Sequence, residues 1–344
     1  MKKLTRTTMW FVIAMAAGLL TNSAAYAERF DDGIYKSYEA SLKGKRVAFI
    51  PMAMTIEMDR GWVAGMKRQA DHDGYQLIIR DPNWKVDAAV QAVEQLINEK
   101  PDVLILHADD LVAFSKPLKK ANDAGIRVIQ LNLKSPATNG DAYVGADWYD
   151  VGRQEAVAAV NSCGQGSGKS GEIAIIHGPG VSPGGRLILP GMEDELAKHK
   201  EIKVVSRQSS DWDVNKARSI ASTLLKQHPN LCGFVGLWDG VDIGISNAVK
   251  QAGLTGKVAV ITEGGGSREG ACNQVSAGNF TAYVNIDTRG QAIALNSAIS
   301  MLLQTKPKPG STPFALYTAS STLTKKNMTP ASCWTVDEVA AGAN

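Results

Sequence analysis

The chain has 344 residues, 44% of them apolar and 21% charged, which suits a folded protein with more than one core and argues against a disordered or fibrous one. Its formal charge of +3 at pH 7 is matched by Lys2, Lys3 and Arg6, and residues 1–27 hold no acid, so the remainder is neutral. A neutral body offers no electrostatic footprint for nucleic acid or an anionic membrane.

Residues 1–27 read as an export signal: the basic start, an apolar stretch Met9–Leu20 and the small-residue exit Ala25-Tyr26-Ala27. Cleavage is expected after Ala27, with a mature protein beginning at Glu28. The apolar stretch is too short to span a bilayer and no later one is longer, so a released protein outside the cytoplasm is expected. No Cys follows it for lipid attachment. ATP and reduced nicotinamide are not supplied there, so no cofactor is expected and binding takes precedence over catalysis.

After a polar lead-in, Arg46–Pro51 reads as a buried strand. Glu57–Asp73 reads as a helix with Met58, Trp62, Met66 and Ala70 at four-residue spacing. Strand 75–80, helix 85–99, strand 102–107, helix 111–124 and strand 127–133 follow. Beyond Ala142–Gly145 a second series runs through helix 147–162, strand 171–177, helix 184–199, strand 203–208, helix 213–227, strand 231–237, helix 239–252 and strand 257–262. It ends with helix 268–277, strand 280–285 and helix 288–304. Short Val/Ile/Leu runs between helices are what a parallel sheet covered on both faces requires. The fold expected is α/β, with two doubly wound parallel-sheet lobes. Lys306–Pro313 reads as a surface connection, and Phe314–Leu323 as one more strand that crosses back between lobes.

Cys163, Cys232, Cys272 and Cys333 form no CxxC or Cys/His cluster, so no zinc or other metal site is expected. Four cysteines allow three complete disulfide pairings. A Cys272–Cys333 bridge would tie down a late tail, and Cys232 can equally be a buried thiol. Cys163–Ser170 ends like a phosphate loop, but its first position is Cys and it precedes a strand, so it reads as a helix-to-strand connection. Gly178-Pro179-Gly180 and Gly264–Gly266 follow strands and read as loops that let a ligand approach the backbone. No GxSxG or HExxH occurs, which removes the usual serine hydrolase and zinc peptidase signatures. Of Asp109 and Asp110, beside a helix start, at least one reads as a cap.

Ligands of open α/β sheets bind beyond the carboxyl ends of the strands. The residues there are hydrogen-bonding side chains with indoles between them: His107, Asn132, the loop 178–186, Trp212, Trp238-Asp239, Glu263 and Asn285. Hydroxyls pair with such groups while a C–H face packs on an aromatic plane, so a neutral sugar, sugar alcohol or related polyol is the ligand class indicated.

This order of elements resembles the periplasmic binding proteins of the ribose and galactose type, which share their fold with the sensor half of lactose-repressor-like regulators. The resemblance runs from Lys45 to Leu323 and is carried by Trp62–Tyr75, Pro101–His107, Ala121–Ile129 and Leu224–Pro229 leading to Trp238-Asp239. It implies two lobes joined by a three-crossing hinge with the ligand cleft between them. The implied domains are 1–27 signal, 28–44 extension, 45–146 plus 287–314 as the first lobe, and 147–286 plus 315–344 as the second with the tail. It also implies pocket roles for Met58 and Asp59 in the first loop, and for His107, Asn132, Arg186, Trp212, Trp238, Asp239, Glu263 and Asn285. Leu133 stands where the family often has Arg, which points away from a typical pyranose. The implied role is a monomeric solute-binding protein of an ABC importer, with an inner-membrane permease as partner. A chemoreceptor or sensor kinase is the alternative partner, and a secreted carbohydrate-active enzyme using Asp59 with Glu263 is a remoter one.

Overall fold

The computed structural model describes residues 33–107, 110, 112–135, 140–180 and 182–342. The expected signal and its cleavage point, and Asp109, lie outside the described residues. Chain contacts separate residues 1–39 from a compact unit of residues 40–344. Helix α1, Ile34–Leu42, precedes the two sheets, which lie in the larger unit.

Its first half runs β1 (Arg46–Ile50), α2 (Glu57–Asp73), β2 (Gln76–Ile79), α3 (Val86–Glu99), β3 (Val103–Leu106), α4 (Ser115–Asp123), β4 (Arg127–Leu131) and β5 (Ala142–Ala146). The second runs α5 (Trp148–Cys163), β6 (Glu172–His177), α6 (Pro183–Leu196), β7 (Lys203–Ser209), α7 (Val214–Gln227), β8 (Gly233–Gly236), α8 (Asp239–Gln251), β9 (Ala259–Gly264), α9 (Asn273–Ala277) and β10 (Ala282–Asn285). It closes with α10 (Thr288–Thr305), β11 (Phe314–Thr318), β12 (Ser321–Leu323) and α11 (Val336–Ala341).

Two six-stranded sheets result, ordered β2-β1-β3-β4-β5-β11 and β7-β6-β8-β9-β10-β12. All pairings are parallel except β10 with β12. Each sheet reverses its strand order once, between β1 and β3 and between β6 and β8, and the crevice at such a reversal is where open α/β sheets take ligands. Adjacent strand residues are buried on opposite faces, which explains the unbroken apolar runs. In the second sheet Ile173, Ile175, Val235 and Ile261 pack toward α5 and α6, whereas Ala174, Ile176, Phe234 and Val260 pack toward α7 and α8. In the first, Ala48, Leu104 and Val128 pack with Val93, Leu96 and Leu118 of α3 and α4.

The chain passes between sheets three times: from β5 to α5, from β10 to α10, and from β11 to β12. The segment expected as one strand is thus two short ones in different sheets. Pairing of β11 with β5 continues to Thr318, so the change of sheet falls four residues beyond the expected boundary at Phe314. Helix α4 starts at Ser115, because the Asp110 carboxylate accepts from the amides of Val112 and Ala113 and holds a turn ahead of it. The expected helix 268–277 is a widened turn, Arg268–Cys272, followed by the short α9.

All four cysteines are paired. Cys272–Cys333 joins as anticipated, and Cys163–Cys232 joins the end of α5 to the residue before β8, so Cys232 is buried but not a free thiol. Cys333 begins a tail that touches both lobes. Trp334 is buried, its indole donating to the Gly265 carbonyl at 2.6 Å and its carbonyl accepting from the Arg268 amide at 2.7 Å. Helix α11 then lies on α2, with Arg68 donating to the Val339 carbonyl at 3.1 Å.

Candidate functional site

The carboxyl ends of both sheets face one cavity of about 60 Å³. From the first lobe come Met52 after β1, His107 after β3, Asn132 after β4 and Trp84 from the β2–α3 turn. From the second come Ser182 ahead of α6, Trp212 from the β7–α7 turn, Trp238 after β8 and Glu263 in β9. Trp148 enters from the β5–α5 crossing and Ile286 from the β10–α10 crossing.

Two of the four indoles are held in the same unusual way. Asn83 and Trp84 have φ of 48° and 68°, and Asp211 and Trp212 have φ of 53° and 58°. A bulky residue in the left-handed region costs about 1–2 kcal/mol, so consecutive pairs persist only where the surroundings hold them. The strain sits in equivalent turns of the two lobes, Asn83-Trp84-Lys85-Val86-Asp87 and Asp211-Trp212-Asp213-Val214-Asn215. Asp213 caps α7 by accepting from the amides of Asn215 and Lys216, and Trp84 donates to Thr55 Oγ1 at 3.2 Å. Both rings meet Trp238, with centroids 5.6 Å away for Trp84 and 5.9 Å for Trp212. The Trp84–Trp238 contact joins the lobes across the cleft. A side chain at Gly178 would collide with the Trp212 ring, so this glycine admits an indole where the sequence suggested a ligand.

The polar edge of the first lobe is a chain of positioned groups. His107 donates from Nδ1 to Asp59 Oδ1 at 3.0 Å, which leaves Nε2 to accept from Asn132 Nδ2 at 3.4 Å. Trp62, wholly buried in α2, packs edge-on against the imidazole at 5.0 Å. Asn132 sits at φ 61°, a conformation asparagine tolerates, and its carbonyl accepts from the Tyr143 hydroxyl and the Trp148 indole. Trp148 therefore fills the hinge and forms part of the cavity wall.

The second lobe offers a different kind of edge. Ser182 stands at the N-cap position of α6 without capping it, and its buried hydroxyl has no partner among the described residues. Glu263 is buried, and desolvation together with Asp239 and Asp242 pushes its pKa well above the usual carboxylate range. Behind it Glu155 is wholly buried with both carboxyl oxygens unpartnered, and its pKa is likewise raised by burial, then by Glu263 and Asp242. Burial thus favours the neutral form of Glu263, which can offer the cavity a hydrogen bond.

Six of the ten expected site residues lie on this wall: Met58, His107, Asn132, Trp212, Trp238 and Glu263. The other four do not. Asp59 is turned into the first lobe, where it orients His107 and accepts from the Ala53 amide at 3.3 Å. Arg186 is exposed, because Gly184 and Ile188 give the inward face of α6 and the residue midway between them points the opposite way. Asn285 alternates with Val284 and Ile286, so its amide faces the tail and donates to the Ser332 carbonyl at 3.3 Å. Asp239 accepts from the Tyr283 hydroxyl at 2.7 Å and faces an adjoining, wider cavity of about 440 Å³, which Met58, Trp84 and Trp238 also border. Trp84 escaped the sequence reading, and Ser182 entered it only within the loop 178–186. The Trp-x-Val-Asp/Asn repeat shared by the two lobes was a signal for Trp84, whereas an uncapped serine has none.

Among the described residues no Lys or Arg lines either cavity, and no group of three His, Cys, Asp or Glu residues suits a metal ion. No described helix is long and apolar enough to cross a membrane.

The chain is 31% identical over 202 residues to the D-allose-binding periplasmic protein of Escherichia coli K12, covering 57% of this chain and 63% of that one. It is 28% identical over 222 residues to the xylitol-binding protein of Mycolicibacterium smegmatis, covering 63% and 60%. The alignments thus span less than two thirds of either relative. An ABC transporter periplasmic solute-binding protein from Actinobacillus succinogenes 130z with bound D-allose superposes at a TM-score of 0.71 and 26% identity, covering 82% of this chain and 98% of that one. The family model of the periplasmic binding protein domain matches residues 47–307, which reach five strands of each sheet and all but the last crossing between them, and the chain belongs to that family.

Proposed function

We propose that this protein is the periplasmic solute-binding component of an ABC importer and captures an uncharged sugar or polyol between its lobes. The observation that carries the reading is the convergence of hydrogen-bonding groups from both lobes, His107 and Asn132 opposite Ser182 and Glu263, on a cavity walled by four indoles. Hydroxyls pair with the former and C–H faces pack on the latter. Among the described residues neither cavity is lined by Lys or Arg, which leaves an anionic solute without a counter-charge. The relatives named for D-allose and xylitol support the same class. Export with cleavage after Ala27 and delivery of the closed form to a membrane permease complete the proposal, with the lobes closing about their three crossings.

Trp238 and Trp212 make the test direct. Intrinsic fluorescence and melting temperature are measured against a broad panel of pentoses, hexoses, deoxy sugars and alditols, and at least one saturable shift is expected. No response from any of them would overturn the reading.

A further inference from the structure

We infer that the solute is hydroxyl-poor: a deoxy sugar or deoxy alditol with few hydrogen-bonding groups and hydrocarbon on its remaining surface. This rests on the sugar or polyol reading above and narrows it. The cavity supplies few polar side chains, a pair from each lobe. Ser182 has an unused buried hydroxyl, Glu263 a buried carboxyl without a side-chain partner among the described residues, and Asn132 and His107 are already engaged with each other at 3.4 Å.

Much of the rest of the wall cannot answer a hydroxyl. Ile56 and Leu133 of the first lobe oppose Ile188, Leu237 and Ile286 of the second half, and none of these has a polar atom in its side chain. Two of the four indole N–H groups are also spent, that of Trp84 on Thr55 and that of Trp148 on the Asn132 carbonyl, which leaves those of Trp212 and Trp238 for the few hydroxyls the solute carries. A fully hydroxylated pentose or hexose would press several hydroxyls against these groups, and a buried polar group without a partner loses its water without replacement. A ligand lacking those hydroxyls presents hydrocarbon there and gains burial. Size agrees: the cavity of about 60 Å³ is room for a small solute.

The test is isothermal titration of the full protein with matched pairs: D-ribose with 2-deoxy-D-ribose, D-allose with 6-deoxy-D-allose, and erythritol with 1,4-butanediol. The deoxygenated member of at least one pair is expected to bind tenfold or more tightly than its parent, about 1.4 kcal/mol. Leu133→Asn, which adds hydrogen-bonding capacity to an apolar wall, should shrink that ratio at least threefold. Parents binding as tightly as their deoxy partners would overturn this inference and leave the sugar or polyol reading standing. Binding of none of the six together with saturable binding of choline would overturn both, since an aromatic box around a cation would then be the better account.

Discussion

At the scale of single residues the site is built from side chains that sit uncomfortably by themselves. Trp84 and Trp212 occupy left-handed backbone, Ser182 forgoes its cap, and Glu155 buries a carboxyl with no partner. Glu155 contributes nothing visible to the fold, and a buried group left unsatisfied costs about 1–3 kcal/mol. Glu155→Met should therefore raise the urea-unfolding free energy by about that amount at pH 8, where the native carboxyl is most penalised. A fall in stability would mean the carboxyl has a bonded role. The indoles at 212 and 238 were legible because they follow strands, and His107 and Asn132 for the same reason. Arg186 misled because its neighbourhood in sequence is right while its angle around α6 is wrong, a difference of two residues on a helix.

At the scale of elements the lobes are tied together by more than their three crossings. The tail is anchored to the second lobe by Cys272–Cys333 and laid on α2 of the first through α11. The bridge closes a loop of 61 residues, for which chain-entropy arguments give about 4 kcal/mol and engineered cases often less. Replacing Cys272 and Cys333 by Ser together should cost about 2–4 kcal/mol in chemical denaturation, and unchanged stability would show that Trp334 alone secures the tail. Cysteine positions left this pairing open, because only the return of the chain past β10 brings residue 333 beside residue 272. Helices α5 and α6 show the same dependence on approach. A side chain at Gly152 would strike the Ile188 carbonyl, and one at Gly191 the Tyr149 carbonyl, so these glycines let the two backbones touch and seat Ile188 and Trp148 at the cavity.

At the scale of the whole molecule the second lobe accumulates carboxyls whose pKa is raised chiefly by desolvation. Asp239 is pushed up to about 6 and Asp242 to about 8, and Glu155 and Glu263 move in the same direction. The folded state then holds more protons than the unfolded one between about pH 4 and 8, so stability falls as pH rises through that window. An exposed carboxylate shifted downward, such as Asp211, acts oppositely, but below about pH 4 and screened by solvent. Melting temperature should accordingly be higher at pH 6 than at pH 8, and Asp242→Asn should flatten that slope. A rise toward pH 8 would contradict it. The alternation of apolar runs with amphipathic helices was enough, from sequence alone, to specify two doubly wound sheets and the ends at which a ligand binds, because burial on both faces is a local property of a strand's composition. Which strand-end side chains meet across the cleft, which face the tail, and how few of them are polar was decided only in three dimensions, since helix phase, strand alternation and the path of a disulfide-bound tail bring together residues that no spacing in the chain connects.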